Sequence, residues 1–164
     1  MLLAAAVLVL AADALSKAIV VATLSTRPPM RLLGGLLYLV ESRNSGAAFG
    51  LATGMTVVLS LVAVAVAVVI VRVSTRLRST PWAVALGLIL GGAVGNLADR
   101  IFRAPGPLRG AVVDWISLFG PTGHPWPIFN IADSCLVIGV CLVVLLELTG
   151  RRVDGARVAP SAGD

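Results

Sequence analysis

Eight polar side chains interrupt an otherwise apolar chain where chemistry is possible: Asp13, Lys17, Asn96, Asp99, Arg100, Asp114, Asn130 and Asp133. An ionisable group inside a membrane span costs on the order of 3 kcal/mol or more, so each one needs a partner or a task. Two of the carboxylates are the candidates for catalysis. Asp114 stands alone in the apolar run Val112-Val113-Asp114-Trp115-Ile116, and Asp133 lies one turn into the apolar stretch opened by Phe129-Asn130-Ile131-Ala132. Two carboxyl groups sharing a poorly solvated site cannot easily both ionise. One then keeps a proton while the other acts as a base. Such a pair can activate water against an amide and protonate the departing nitrogen.

The remaining polar residues group around this pair. Asn130 and Asp133 are separated by three positions and can address one cavity. Asp13 and Lys17, four apart, share a helix face as a neutralising pair, either structural or turned toward substrate. In Gly91-Gly92-Ala93-Val94-Gly95-Asn96-Leu97-Ala98-Asp99-Arg100 the small residues permit close helix approach. Arg100 offers forked donors suited to peptide carbonyls or to a carboxylate, the latter in a structural network with Asp99. The run Arg43-Asn44-Ser45-Gly46-Ala47-Ala48-Phe49-Gly50 adds small residues and the donor–acceptor Asn44 for contact with an extended peptide.

These residues require elements to hold them, and the composition says which. Of 164 residues, 58% are hydrophobic and 13% charged, with mean hydropathy +0.99. A soluble domain carries about 25% charged residues. The expected architecture is therefore an all-α polytopic membrane protein of one domain, with four spans at about 2–24, 55–73, 82–101 and 131–149. The first is expected to be a retained helix, because Asp13 and Lys17 fall inside its apolar run and no basic segment precedes it. Segments 25–54 and 102–130 lie together on one membrane face. The turn 74–81 and the tail 150–164, a candidate for disorder, lie on the other with the N-terminus. Within 25–54, Leu36-Leu37-Tyr38-Leu39-Val40 suits a short β element at the interface. Arginines do not orient the chain. Arg72, Arg76, Arg78, Arg151, Arg152 and Arg157 face Arg27, Arg31, Arg43, Arg100, Arg103 and Arg109, six against six.

Several function classes drop out. The net charge of +5 is spread over loops and tails with no basic helical face, so nucleic acid is not an expected partner. His124 is the only histidine, which excludes a His-rich metal site and leaves a triad little to stand on. Cys135 and Cys141, six apart on different helix faces, suit neither a disulfide nor a metal. No metal or cofactor is expected. A proton-coupled transporter is the main alternative, since it too uses intramembrane Asp, Asn and Arg. It calls for polar groups spread along a route through the bilayer, whereas the second span carries only Thr56 and Ser60 near one end before Arg72. A non-catalytic scaffold leaves Asp114, outside all four spans, unexplained.

Taken in order, Asp13 with Lys17, Arg43–Gly50, Gly95-Asn96-Leu97-Ala98-Asp99-Arg100, Val113-Asp114-Trp115 and Phe129–Asp133 resemble the lipoprotein signal peptidases, or signal peptidase II. The likeness spans about residues 10–140, with Ala14 standing where the family pattern has Gln. It implies an aspartyl endopeptidase of the bacterial cytoplasmic membrane, with both termini cytoplasmic and the active site toward the outer leaflet. It implies Asp114 and Asp133 as the catalytic pair. Asn44, Gly46, Asn96, Arg100 and Asn130 are implied along the substrate site, with Asp13, Lys17 and Asp99 as supporting polar groups. The implied substrate is a prolipoprotein whose lipobox cysteine already bears diacylglycerol, cut just before that cysteine. Such a substrate approaches laterally among membrane lipids. The family further implies inhibition by globomycin, an extracytoplasmic sheet-like cradle from the first long segment, and a mobile loop or helix in the second. One chain supplies the whole site, so a monomer is expected.

Overall fold

The computed structural model describes residues 1–46 and 55–157. Four helices occupy the four apolar stretches: α1 (Leu2–Leu24), α2 (Met55–Ser74), α3 (Thr80–Phe102) and α4 (Ile131–Leu148). Their mean hydropathies of 2.1, 2.7, 1.5 and 2.4 suit lipid, where a helix satisfies its own backbone groups. The least hydropathic is the most enclosed. Helix α3 buries 13 of its 23 residues and packs against each of the other three, so its polar side chains face protein rather than lipid. Each of α2 and α4 buries only three.

Glycine makes this central position possible. A Cβ on Gly91 would lie 2.7 Å from the Ala6 carbonyl oxygen of α1, and one on Gly92 would lie 2.5 Å from that of Ala132 in α4. Adjacent glycines therefore let α3 press against two helices on different sides. One apolar cluster joins Leu2, Ala6, Ile70, Trp82, Leu86 and Leu146 at one end of the bundle. A second, built on Val20, Leu24 and Val113, closes the other end.

A three-stranded antiparallel sheet, β1 (Met30–Leu32), β2 (Leu37–Asn44) and β3 (Val112–Leu118), in that order, caps the second end. The β element foreseen at Leu36–Val40 is thus longer, and it is the middle strand. The third strand comes from the second long segment, so the cradle is shared between both segments rather than built from the first. Asp114 consequently sits on a strand where an irregular loop was expected. Val112, Val113, Trp115 and Ile116 supply the β-branched and aromatic side chains that favour this. Register runs from Leu37↔Leu118 to Asn44↔Val112, with one extra β2 residue between the pairs Leu39↔Ile116 and Ser42↔Asp114. Such a bulge re-aims the side chains beyond it.

At the opposite end residues 150–157 fold back on the α2–α3 turn. The backbone N–H groups of Arg78 and Ser79 donate to Val153 O at 3.0 and 3.2 Å, and Trp82 Nε1 donates to Arg151 O at 2.8 Å.

Candidate active site

The sheet and the start of α4 converge on Asp114. Asn44 pairs with Val112, so its side chain is the diagonal neighbour of Asp114 on the same sheet face. Asn44 Nδ2 donates to Asp114 Oδ2 at 3.0 Å. From the other side Asn130 Nδ2 donates to Asp114 Oδ1 at 2.7 Å. Phe129 forms a bridge with Ile116, which fixes Asn130 beside β3 before α4 begins.

The spacing of Asn130 and Asp133 has a further cause: the two form the capping box of α4. Asp133 N donates to Asn130 Oδ1 at 2.9 Å, and Asn130 N donates to Asp133 Oδ2 at 3.2 Å. Asn130 therefore starts the helix with its oxygen and holds Asp114 with its nitrogen. Asp133 Oδ1 accepts from Asn96 Nδ2 at 2.7 Å.

Lysine fixes which way Asn96 points. Lys17 has three protons and no acceptor capacity, and it meets Asp13 Oδ2 at 2.7 Å, Asp99 Oδ2 at 2.9 Å and Asn96 Oδ1 at 3.0 Å. Asn96 must turn its oxygen to Lys17, which aims its NH2 at Asp133. The two flanking carboxylates also reach outward. Asp13 Oδ1 accepts from Ala132 N at 3.0 Å, one residue before Asp133. Asp99 Oδ2 accepts from Val113 N at 3.1 Å, one residue before Asp114. The Asp13–Lys17–Asp99 cluster thus ties both aspartate-bearing elements to α1 and α3. Lys17 and Asp13 are each 1% exposed, so the cluster is stable only because every charge is paired.

Asp99 does not pair with Arg100, its sequence neighbour. It takes Arg103 instead, one helical turn on, an i,i+4 partner that the sequence spacing could have revealed. Arg100 is buried, donates from Nη1 to Asn96 O at 3.2 Å, and its Nε meets no acceptor among the described residues. Gly46, at φ +97°, donates its N–H to Asn44 Oδ1 at 2.9 Å. Ala47–Gly50 of the same motif lie outside the described residues.

The structure thus brings Asn44, Asn96, Asn130, Asp114 and Asp133 into one hydrogen-bonded assembly, with Gly46, Arg100, Asp13, Lys17 and Asp99 around it. Asp114 is 2% exposed, and its carboxyl is pushed up from 3.8 to about 7. Burial is the main cause and the nearby Asp133 charge adds to it, partly offset by the hydrogen bonds from Asn44 and Asn130. Asp133 is only half-buried and more open to water. Two carboxyl groups in these settings can hold one proton between them at neutral pH. Among the described residues no group of three His, Cys, Asp or Glu is placed to hold a metal ion. Cavities of about 590 and 510 Å³ lie at the far end, around the α2–α3 turn and the tail, away from these aspartates.

Known proteins share this architecture. A sequence profile of the family described as Signal peptidase (SPase) II matches residues 5–149. The lipoprotein signal peptidase of Rhodococcus jostii is 49% identical over 149 residues, covering 91% of this chain and 73% of the relative. That of Streptomyces griseus is 48% identical over 154 residues, covering 94% and 76%. Two solved structures described as a bacterial membrane enzyme superpose with TM-scores of 0.75 and 0.74, at 30% and 31% identity. Each covers 90% of this chain, and the match covers 87% and 92% of theirs.

Proposed function

We propose that this chain, which belongs to the signal peptidase II family, works as an aspartic-type endopeptidase through Asp114 and Asp133. It removes signal peptides from prolipoproteins. The observation that carries the aspartic mechanism is the asymmetric pair: one carboxyl buried and raised to about 7, the other half-exposed. Asp114 is then the member that enters the cycle protonated, and Asp133 the carboxylate that takes a proton from water. The hydroxide adds to the scissile carbonyl while Asp114 protonates its oxygen. Collapse of the tetrahedral species returns that proton to Asp114. The proton on Asp133 moves to the leaving nitrogen as the C–N bond breaks.

In this mechanism the asparagines align the dyad, and substrate completes the site. Arg100 Nε is a buried donor that meets no acceptor among the described residues, suited to a carbonyl of the bound peptide. Asn44 and Gly46 sit at the end of β2, where an extended chain can approach backbone. The substrate is a diacylglyceryl prolipoprotein cut before its lipidated cysteine, entering sideways with its acyl chains still in lipid. Membrane lipids are its surroundings and globomycin its expected inhibitor.

The exposed arginines support an orientation that their number alone leaves tied. On the site side Arg43 pairs with Glu41 at 2.5 Å, Arg103 pairs with Asp99 and Arg100 is buried, which leaves Arg27, Arg31 and Arg109 with no ion pair among the described residues. On the far side Arg72, Arg76, Arg78, Arg151, Arg152 and Arg157 form no ion pair among the described residues. Free cations gain about 1 kcal/mol each beside the anionic cytoplasmic leaflet. This favours a cytoplasmic far end, with the dyad toward the outer leaflet. Proton transport has no support. Among the described residues every buried polar side chain, from Asp13 to Asn130, belongs to the site end of the bundle and none continues a path toward the tail.

The test is a gel-shift cleavage assay in detergent with a diacylglyceryl-modified prolipoprotein. Wild type should cleave and a folded Asp133→Asn variant should not. Turnover by that variant at a wild-type rate would end the two-aspartate mechanism while leaving family membership intact.

A further inference from the structure

Helix α2 is the most apolar of the four, yet it buries two hydroxyls, Thr56 and Ser60, at 4% and 0% exposure. Neither takes part in the assembly around the aspartates. Each instead holds the backbone of a segment that flanks it. The single proton of Ser60 Oγ has Thr56 O of its own helix at 2.9 Å and Leu108 O at 3.0 Å as acceptors, and Thr56 Oγ1 donates to Ser45 O. The Thr56–Ser45 contact falls in the middle of a three-residue turn that matters for Asp114. Gly46 N donates to Asn44 Oδ1 at 2.9 Å, and this bond decides which end of the Asn44 amide faces Asp114. With the oxygen occupied, the NH2 points to Asp114 Oδ2. Reversed, the amide would set an oxygen against a carboxyl oxygen. The turn is packed closely enough to be held by Thr56. A Cβ on Gly46 would lie 3.0 Å from Thr56 Oγ1 and 3.1 Å from Thr56 N, and Gly46 sits at φ +97°.

We propose that Thr56 is a positioning residue for the reaction, anchoring the Ser45 carbonyl so that Asn44 presents its NH2 to Asp114. It rests on the aspartic mechanism above and names a residue of that site which neither the sequence motifs nor the dyad itself includes. Thr56 acts through Asn44 and touches no reacting atom. Its removal frees the turn, the amide loses its fixed direction, and Asp114 loses one of its two neutral donors. Because that donor offsets the effect of burial, its loss moves the Asp114 titration upward. Asp133 of α4, Arg100 of α3 and Lys17 of α1 are the charged groups around Asp114, and all three stay in place.

The experiment compares wild type, Thr56→Val, Thr56→Ser and Asp114→Asn in the lipidated-prolipoprotein assay across pH 5–9. Asp114 becomes charged as it protonates the carbonyl oxygen, and a hydrogen bond to a charged group lost at that point corresponds to about ten- to a hundredfold in rate. Thr56→Val should lower kcat by that factor with KM changed less than about twofold, and should shift the alkaline limb to higher pH. Thr56→Ser, which keeps the hydroxyl, should restore both. If Thr56→Val does not fold, Thr56→Ala carries the same comparison. A folded Thr56→Val or Thr56→Ala with wild-type kcat and alkaline limb, or a Ser variant that rescues nothing, overturns the positioning role. An active Asp114→Asn overturns the dyad instead, so the two failures are distinct.

Discussion

Replacing Asp114 by Asn should change how stability depends on pH, not only abolish cleavage. Asp114 has its carboxyl raised from 3.8 to about 7. A carboxyl that is raised on folding contributes stability that is fully present below 3.8 and is lost as pH rises to about 7. The span of about three pH units amounts to about 4 kcal/mol, since each unit is 1.36 kcal/mol. Asn cannot titrate, so this loss disappears in the variant. A second effect does not depend on pH. Both oxygens of Asp114 accept from amide NH2 groups, Asn44 on one side and Asn130 on the other. An Asn in this place turns its own NH2 toward one of these donors, leaving a buried donor unmet at a cost of about 1–3 kcal/mol. The variant should therefore melt below wild type at pH 4 and match or exceed it at pH 8. Thermal unfolding of both proteins in one detergent, from pH 4 to 8, reads the difference. Other carboxylates titrate in both proteins, so the gap isolates Asp114 and its coupling to Asp133. A gap that stays constant, or that widens in favour of wild type as pH rises, refutes the assignment of a raised, buried carboxyl.

Lys17→Met should destabilise the protein by about 3–5 kcal/mol, because Asp13 and Asp99 stay buried without their shared cation. Thermal melting should show this loss, and a folded Lys17→Met that binds substrate normally yet has no turnover would show that its role is other than supportive. Gly92→Ala should cost about 1–3 kcal/mol and lower cleavage. The added methyl meets Ala132 O at 2.5 Å and Leu136 Cγ at 2.8 Å and pushes α4 from α3. An unchanged melting temperature would mean that the two helices are free to adjust there.

Much of this was legible in the chain because membrane spans allow few exceptions. An Asp or Lys inside lipid demands a partner, which is why Asp13 with Lys17 and the Asn96–Arg100 group stand out in the sequence alone. Other features needed three dimensions. The spacing of Asn130 and Asp133 suggested a shared cavity, but a helix-capping box is visible only once α4 is seen to begin there. Asp114 is expected in a loop because Pro105, Pro107, Pro121, Pro125 and Pro127 break up 102–130, yet all five lie outside the β-branched run that contains it. Pairing of that run with β2 depends on a contact about seventy residues away in sequence, which no local pattern encodes. In the sequence Thr56 serves only, with Ser60, to show how few polar groups the second span carries. Its acceptor, a backbone carbonyl, leaves no mark in composition.

The sharing of the sheet between the two long segments has a consequence for biosynthesis. Asn44 is made first, Asp114 seventy residues later, and Asp133 after both, in the first turn of α4. Until the start of α4 has docked beside β3, the bridge to Phe129 is missing, Asp114 is held by Asn44 alone, and Asp133 does not yet meet Asn96. A chain whose α4 has not yet docked therefore lacks the assembled pair of carboxyl groups, and the enzyme gains that pair only as α4 takes its place in the bundle.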